Sequence, residues 1–432
     1  MYKIKQPLFD GISAYIASSP ARFHMPGNKG AAGLTPDAFY DLTEHAQTGN
    51  SLSPAEGDPF DLAYNEAAKL YGTAATVYSA FGSTGALMAA VRLGHIAKGR
   101  FACPRALHKS IINAFTLLGI QPEWIDIKGE IPKGCAVMVT SPDYYGRMID
   151  IGELSRKCRE NDCLLIVDSA HGAHLKFHSV GEMHPLACGA DVSVDSLHKT
   201  LPALTGSALL HLSVASGLNR DDALAAMRLF ASTSPSFIIN LSTERCLYRM
   251  CRSGREELSA LLSLILSAQS RLESFGYEFL TAPPRCRDPF RMVIRAENAA
   301  EIADGLSEKG VECEFSDSRD VVFIPSVMNT ESDFERLIAA AAELRPVKAR
   351  EPLPDMIYDI PLPEPVMTLR EASLAAHRTI RLEDATGQIC ASPLYPYPPG
   401  VPAVMPGELI SKEAVKLLLN SGINTASVVV KT

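Results

Sequence analysis

Short apolar runs separated by helical stretches constrain this chain more than any other feature. Residues 136–140 and 163–167 are almost purely apolar, 190–196 is apolar-rich, and an amphipathic helical pattern over 151–161 lies between the first two. A strand covered on both faces has this composition, and parallel strands need a crossover of about a dozen residues or more to join them. A mainly parallel α/β sheet is therefore predicted. Ligands of such sheets gather at the carboxyl ends of the strands. Asp168, the turn 141–146 and residues 196–199 each follow one of these runs, so they are expected to share a crevice.

Lys199 stands just past the run 190–196, in Ser196-Leu197-His198-Lys199, with a second apolar run beyond the turn Thr205-Gly206. Burial disfavours an ammonium and makes the amine more nucleophilic. A Schiff base with pyridoxal phosphate is one chemistry that needs such an amine, with Ser196 and His198 placed to hold the phosphate. A surface lysine at a strand end is the alternative. Gly82-Ser83-Thr84-Gly85 opens a helix, where backbone N–H groups and the helix dipole suit a phosphate, although Ser and Thr are also ordinary N-caps. Asp168 ends Leu-Leu-Ile-Val and reads either as a helix N-cap or as a functional carboxylate beside a cation. His171, His174, His178 and His184 lack metal-ligand spacing, and no metal is expected.

The remaining composition narrows the partners. With 41 basic and 49 acidic residues, net charge −8, a general affinity for nucleic acid or an anionic membrane is not expected, and a small-molecule ligand is. No run reaches the roughly 18 residues that span a bilayer, and the ten scattered cysteines fit reduced thiols in the cytoplasm. The chain of 432 residues divides into an irregular N-terminal arm (1–50) and a large domain (51–285), then a small α/β domain (286–350) and a C-terminal domain (351–432). Helices are expected over 223–230, 243–275 and 368–377, and a Pro-rich linker over 345–366. In the arm, Pro26, Gly27 and Gly30 break regular structure, so His24, Asn28 and Lys29 are expected to meet a ligand or a partner subunit.

Seven collinear segments resemble the Orn/Lys/Arg decarboxylase family, pyridoxal-phosphate enzymes of the aspartate-aminotransferase-like fold (fold type I). They are FHMPGNKG (23–30), FGSTGA (81–86), Arg105-x-x-His108-Lys-Ser110, SPDYYG (141–146), VDSAHGAH (167–174), SLHKTLPALTG (196–206) and PYPPGVP-x-x-x-PGE (396–408). The resemblance implies decarboxylation of arginine, lysine or ornithine, as in polyamine biosynthesis, with pyridoxal 5'-phosphate as cofactor. It implies that Lys199 holds the cofactor covalently and that Asp168 pairs with the ring nitrogen. His108 and Ala170 then flank the ring, His171 lies near its phenolic oxygen, and Ser83, Thr84, Ser196 and His198 bind the phosphate. It also implies a homodimer with the active site at or near the subunit interface; no receiver-like domain is expected, and large rings are therefore not expected either. Asn28 and Asp143 replace a histidine and a threonine of the family pattern, and the loop around 56–65 is shortened. A basic side chain entering a partly dry pocket needs an acid, for which Glu408 is the first candidate and Asp143 the second. Another pyridoxal-phosphate reaction, or a non-catalytic homologue that binds cofactor, is the alternative function.

Overall fold

The apolar runs become the centre of a sheet. The computed structural model describes residues 4–30, 38–45, 48–178, 183–281, 283, 285–348, 363–395 and 402–430. Seven strands, β1 (Ala75–Ser79), β2 (Phe101–Cys103), β3 (Glu123–Trp124), β4 (Ala136–Thr140), β5 (Leu164–Ser169), β6 (Val192–Ser196) and β7 (Ala208–Leu212), form one sheet in the order β1-β7-β6-β5-β4-β2-β3. The neighbours from β6 to β3 are parallel, and β7 runs antiparallel to both β6 and β1. It follows that β1 points the same way as β6, and the helix Gly82–Lys98 opens at the edge where β4, β5 and β6 end. Side chains alternate between the two buried faces: Met138, Ile166 and Val194 join one core, while Val137, Val139, Leu165 and Val167 join the other. Both faces being covered explains why these strands lack a polar stripe.

A second, antiparallel sheet pairs β8 (Glu278–Phe279), β9 (Met292–Arg295), β10 (Phe315–Ser316) and β11 (Asp320–Phe323) in the order β10-β11-β9-β8. The 38-residue helix Phe237–Ser274 precedes it; it starts ahead of the helix expected from 243, and Ser236 caps its first turn through Ile239 N. A third unit pairs β12 (His377–Arg381) with β13 (Thr425–Val429) around Leu382, Val404, Ile410 and Leu418. The helix expected over 368–377 is shorter, Leu369–Leu374, because Ala375 turns extended and Thr379 and Ile380 pair with Ser427 and Ala426. Residues 349–362 of the expected linker and 396–401 of the proline motif lie outside the described residues.

The arm expected to be irregular begins with a helix, Pro7–Ala17. Leu8, Ile12 and Tyr15 recur at helical spacing and are buried, which offsets the low helix propensity of Gly11. No side chain caps this helix locally. Its first N–H groups are instead taken by Glu244, whose carboxylate accepts from Leu8 N (2.9 Å) and Phe9 N (2.7 Å). Burial pushes the Glu244 carboxyl up to about 7, against the two amide bonds that favour the anion. A raised acid in the folded state stabilises most below its unfolded pKa of about 4.5, and that contribution is lost as pH rises through about 7. The unfolding free energy of the wild type, from denaturant titrations, should therefore fall relative to Glu244→Gln between about pH 4.5 and 7, by about 3 kcal/mol in total. Parallel profiles would mean that Glu244 titrates as an ordinary surface acid.

Candidate active site

The carboxyl edge of the large sheet gathers the reactive side chains. Lys199 lies in the single helical turn Leu197–Thr200 directly after β6, half-buried, with Nζ 3.1 Å from His171 Nε2. His171 follows β5 and is buried; its Nδ1 is 3.2 Å from Nη2 of Arg291, a residue only 1% exposed just ahead of β9. Asp168, in β5, is 2% exposed, and among the described residues the only hydrogen bond to its carboxylate comes from Ala170 N at 3.1 Å. Burial raises the Asp168 carboxyl against the pull of Lys199, and burial lowers the Lys199 ammonium against the pull of Asp168. Arg291 adds like-charge pressure on Lys199.

Two glycines permit these approaches. A Cβ on Gly172 would lie 2.4 Å from Ser169 Oγ and 2.8 Å from Pro142 Cδ, so glycine lets the loop after β5 close on the turn after β4. Gly146 has φ +82° and passes 2.6 Å, on the same measure, from Arg291 Cβ. The last residue of SPDYYG thus gives room to a side chain from the second sheet.

His108 is the N-cap of the helix Lys109–Leu118: Nδ1 accepts from Ser110 N at 3.3 Å and lies 2.8 Å from Ser110 Oγ. Burial, with Lys199 adding to it, holds its imidazole down at about 4, so the ring is neutral at physiological pH. Phe81, with no capping hydrogen bond, occupies the N-cap of the helix Gly82–Lys98, so Ser83 and Thr84 sit in the first turn rather than capping it. Their N–H groups have no acceptor within the helix. Ser196 Oγ is 3.3 Å from His198 Nδ1, which is also 3.2 Å from the Ser207 carbonyl.

The residues expected to meet substrate are otherwise engaged. Asn28 donates to Asp41 Oδ2 at 2.6 Å and accepts from Gly30 N, which orders the arm. Asp143 is half-buried and engaged within its own turn, with Oδ1 accepting from Tyr145 N (3.0 Å) and Arg147 N (2.7 Å). Glu408 does not cap the following helix, which Ser411 caps; it forms a two-point ion pair with Arg105 (2.5 and 2.8 Å) and accepts from Met405 N. Two residues at the site escaped the sequence reading, Arg291 and Glu314, and Tyr144 entered it only as part of the turn 141–146, with no role of its own. The ring of Tyr144 meets His171 edge-on at 5.2 Å, and its hydroxyl donates to Glu314. Glu314 acts electrostatically on both Lys199 and Arg291. The one available signal was an arginine entering an otherwise apolar strand in Asp288-Pro-Phe-Arg291-Met-Val-Ile.

These residues fit pyridoxal phosphate. Asp168 is a buried carboxylate raised by desolvation and lacking an ion-paired cation among the described residues, which a protonated ring nitrogen would supply. The uncapped helix start at Ser83-Thr84 suits its phosphate.

The architecture is that of fold type I pyridoxal-phosphate enzymes. It matches the solved lysine decarboxylase of Francisella novicida with a TM-score of 0.82 at 18% identity, over 99% of this chain and 81% of that one. The constitutive lysine decarboxylase of Escherichia coli matches at 0.77 and 17%, over 98% and 80%. In sequence, the arginine decarboxylase of Bacillus subtilis is 26% identical over 98% of this chain and 94% of its own length. Residues 127–284 match the Orn/Lys/Arg decarboxylase major domain and 353–421 the C-terminal domain of the same family. The chain belongs to the Orn/Lys/Arg decarboxylase family.

The Arg105–Glu408 pair is enclosed, with side chains 16% and 5% exposed. Removing one partner leaves the other's charge poorly solvated, so Glu408→Gln and Arg105→Gln should each destabilise the protein by about 3 kcal/mol. The double variant should be less destabilised than the sum of the two. Additive losses in denaturant titrations would show that the two side chains do not depend on each other.

Proposed function

We propose that this protein removes the α-carboxyl group of a basic amino acid, releasing carbon dioxide and the corresponding amine, with pyridoxal 5'-phosphate as cofactor. The observation that carries this reading is the contact of Lys199 with the buried His171 beside the buried Asp168 carboxylate, all at the carboxyl edge of one sheet. Family membership supports the reaction, and the name of the Bacillus relative makes arginine the first substrate to test.

When bound, the cofactor supplies a conjugated ring that takes up the electron pair left as carbon dioxide departs. Lys199 would hold it covalently, Asp168 would keep the ring nitrogen protonated, and His108 and Ala170 would flank the ring. Ser83, Thr84, Ser196 and His198 would bind the phosphate. Nζ of Lys199 is where a proton is held for return to the carbon that lost its carboxylate. Burial of Asp168 and His171 excludes water from that exchange. For the basic end of the substrate we assign Glu314 in place of Glu408, whose charge is matched by Arg105. Glu314 is exposed, is bonded to Tyr144, and forms no ion pair among the described residues.

We further propose a homodimer whose partner covers the N-terminal arm. Phe23 is 96% and Met25 67% exposed close in the chain to Asn28, which bonds Asp41, an apolar display that a second subunit would remove from water. Ten free cysteines accord with the cytoplasm, and none of the helices in the described residues is long and apolar enough to cross a membrane.

Purified protein supplied with arginine, lysine or ornithine should release carbon dioxide and amine in equal amounts, without keto acid. Lys199→Ala should abolish this, and Asp168→Asn should lower turnover by orders of magnitude while weakening cofactor binding by roughly 1.5–3 kcal/mol. Glu314→Gln should raise KM for the basic substrate more than it alters kcat. Keto acid as the main product would make the protein an aminotransferase, and cofactor binding without any product would make it a non-catalytic homologue.

A further inference from the structure

The donors and acceptors around His171 fix where its ring proton sits. Arg291 presents only N–H groups, so its Nη2, 3.2 Å from His171 Nδ1, donates and Nδ1 accepts. A ring nitrogen that accepts carries no proton, which excludes both the Nδ1–H tautomer and the imidazolium. The single ring proton is then on Nε2, which lies 3.1 Å from Lys199 Nζ. Nζ must accept that hydrogen bond, and an ammonium has no lone pair with which to do so. We propose that Arg291 is a positioning residue that locks His171 as its Nε2–H tautomer and thereby holds Lys199 as a free amine, ready to bond to the cofactor.

The surroundings of Arg291 fit this role better than a packing role. Its Nε and Nη1 are buried without a hydrogen-bond partner, so His171 is the only acceptor its side chain meets among the described residues. A buried guanidinium with idle donors is destabilising, and hydrocarbon would fill the same space without that penalty. The carboxylates of Asp288 and Asp143 act on its charge from a distance. Asp288 itself is occupied by His174 Nε2 at 3.0 Å and by Phe290 N. The groups facing His171 from the packed elements are Lys199, Arg291, His108, His174 and the Tyr144 ring. Burial and the Arg291 guanidinium keep the imidazole neutral and, independently, favour the uncharged lysine against the pull of Asp168 and Glu314.

The consequence is chemical. Only the free amine can use its lone pair to form the bond to the cofactor's aldehyde carbon, the carbonyl oxygen leaving as water with the two amine protons. The inference rests on the reading of Lys199 as the cofactor-bearing residue, and its test separates the two. Full-length protein labelled with nitrogen-15 at histidine, freed of cofactor by reversible treatment with hydroxylamine, is observed by side-chain NMR, with His171→Gln to assign the resonance. The expected signature is an unprotonated, pyridine-like Nδ1 and a protonated Nε2, unchanged through the range near pH 6.5 where free histidine titrates. Arg291→Lys, also a pure donor, should keep it; Arg291→Gln, which can accept as well as donate, should admit the second tautomer. Loading with pyridoxal phosphate, followed by absorbance, should shift to higher pH in Arg291→Gln by about one unit, a rate about tenfold lower at neutral pH, and stay in place in Arg291→Lys. A proton on Nδ1 in the wild type overturns the proposal whether or not any variant folds, as does an unshifted loading profile in a folded Arg291→Gln. Protein that shows the tautomer and loads cofactor yet makes no amine would instead remove the decarboxylase reading alone.

Discussion

A primary amine and a carboxylate, both desolvated at the ends of adjacent strands, set the requirements that the rest of this structure meets. Burial works against the charge on Lys199 and on Asp168, and in the absence of other constraints both would be drawn to solvent. The sheet prevents this. Asp168 is fixed by register opposite Val194 on β6, two residues before Ser196, where the turn carrying Lys199 begins. Neither side chain can move far without breaking a ladder covered on both faces. Gly146 and Gly172 let the neighbouring loops close over them, and the second sheet then brings Arg291 to within bonding distance of His171.

Much of this was legible in the sequence because parallel strands have a strong signature: an apolar run marks the strand, and the polar residue that ends it marks the crevice. The placement of Asp168 and of residues 196–199 needed no more than that rule. What escaped came from contacts between distant segments. Arg291 reaches His171 across 120 positions, and periodicity carries no information about such a pair. The helix Pro7–Ala17 was missed because Gly11 and the proline-rich sequence beyond it suggested irregular backbone. Its stability comes from a buried face and from Glu244, more than 230 residues away. Glu408 looked like an acid awaiting a substrate because nothing local shows that Arg105 already faces it.

The histidines of 171–184 illustrate how one residue type divides into separate tasks once partners are fixed. His171 bridges Lys199 and Arg291, while His174 holds Asp288. His184 shares the fully buried Asp195 with His211, which extends the chain to Thr76 on β1. Asp195 is held well below the usual carboxylate range by its two imidazoles, which outweigh its desolvation. This network ties β6, β7 and β1 together from inside, one residue before Ser196, so the strand that presents Lys199 is anchored by polar bonds as well as by packing. A half-satisfied network in such a place would be destabilising; satisfied, it favours one register.

The third unit contributes through a different route. Arg105 lies three residues before His108, the N-cap of the helix that follows, and its guanidinium is clamped by Glu408 and stacked over Trp124 at 5.5 Å. Arg370, from the same unit as Glu408, donates to the carbonyls of Thr116 and Leu117 at the far end of that helix. Both ends of Lys109–Leu118 are therefore gripped by the C-terminal unit, and the helix dipole accounts for the sign of the second contact, since a guanidinium suits exposed carbonyls. His108 sits at the gripped N-terminus with its ring oriented by Ser110. Any loosening of the C-terminal unit is transmitted to that ring through these two clamps, although none of the clamping residues belongs to the reactive cluster around Lys199.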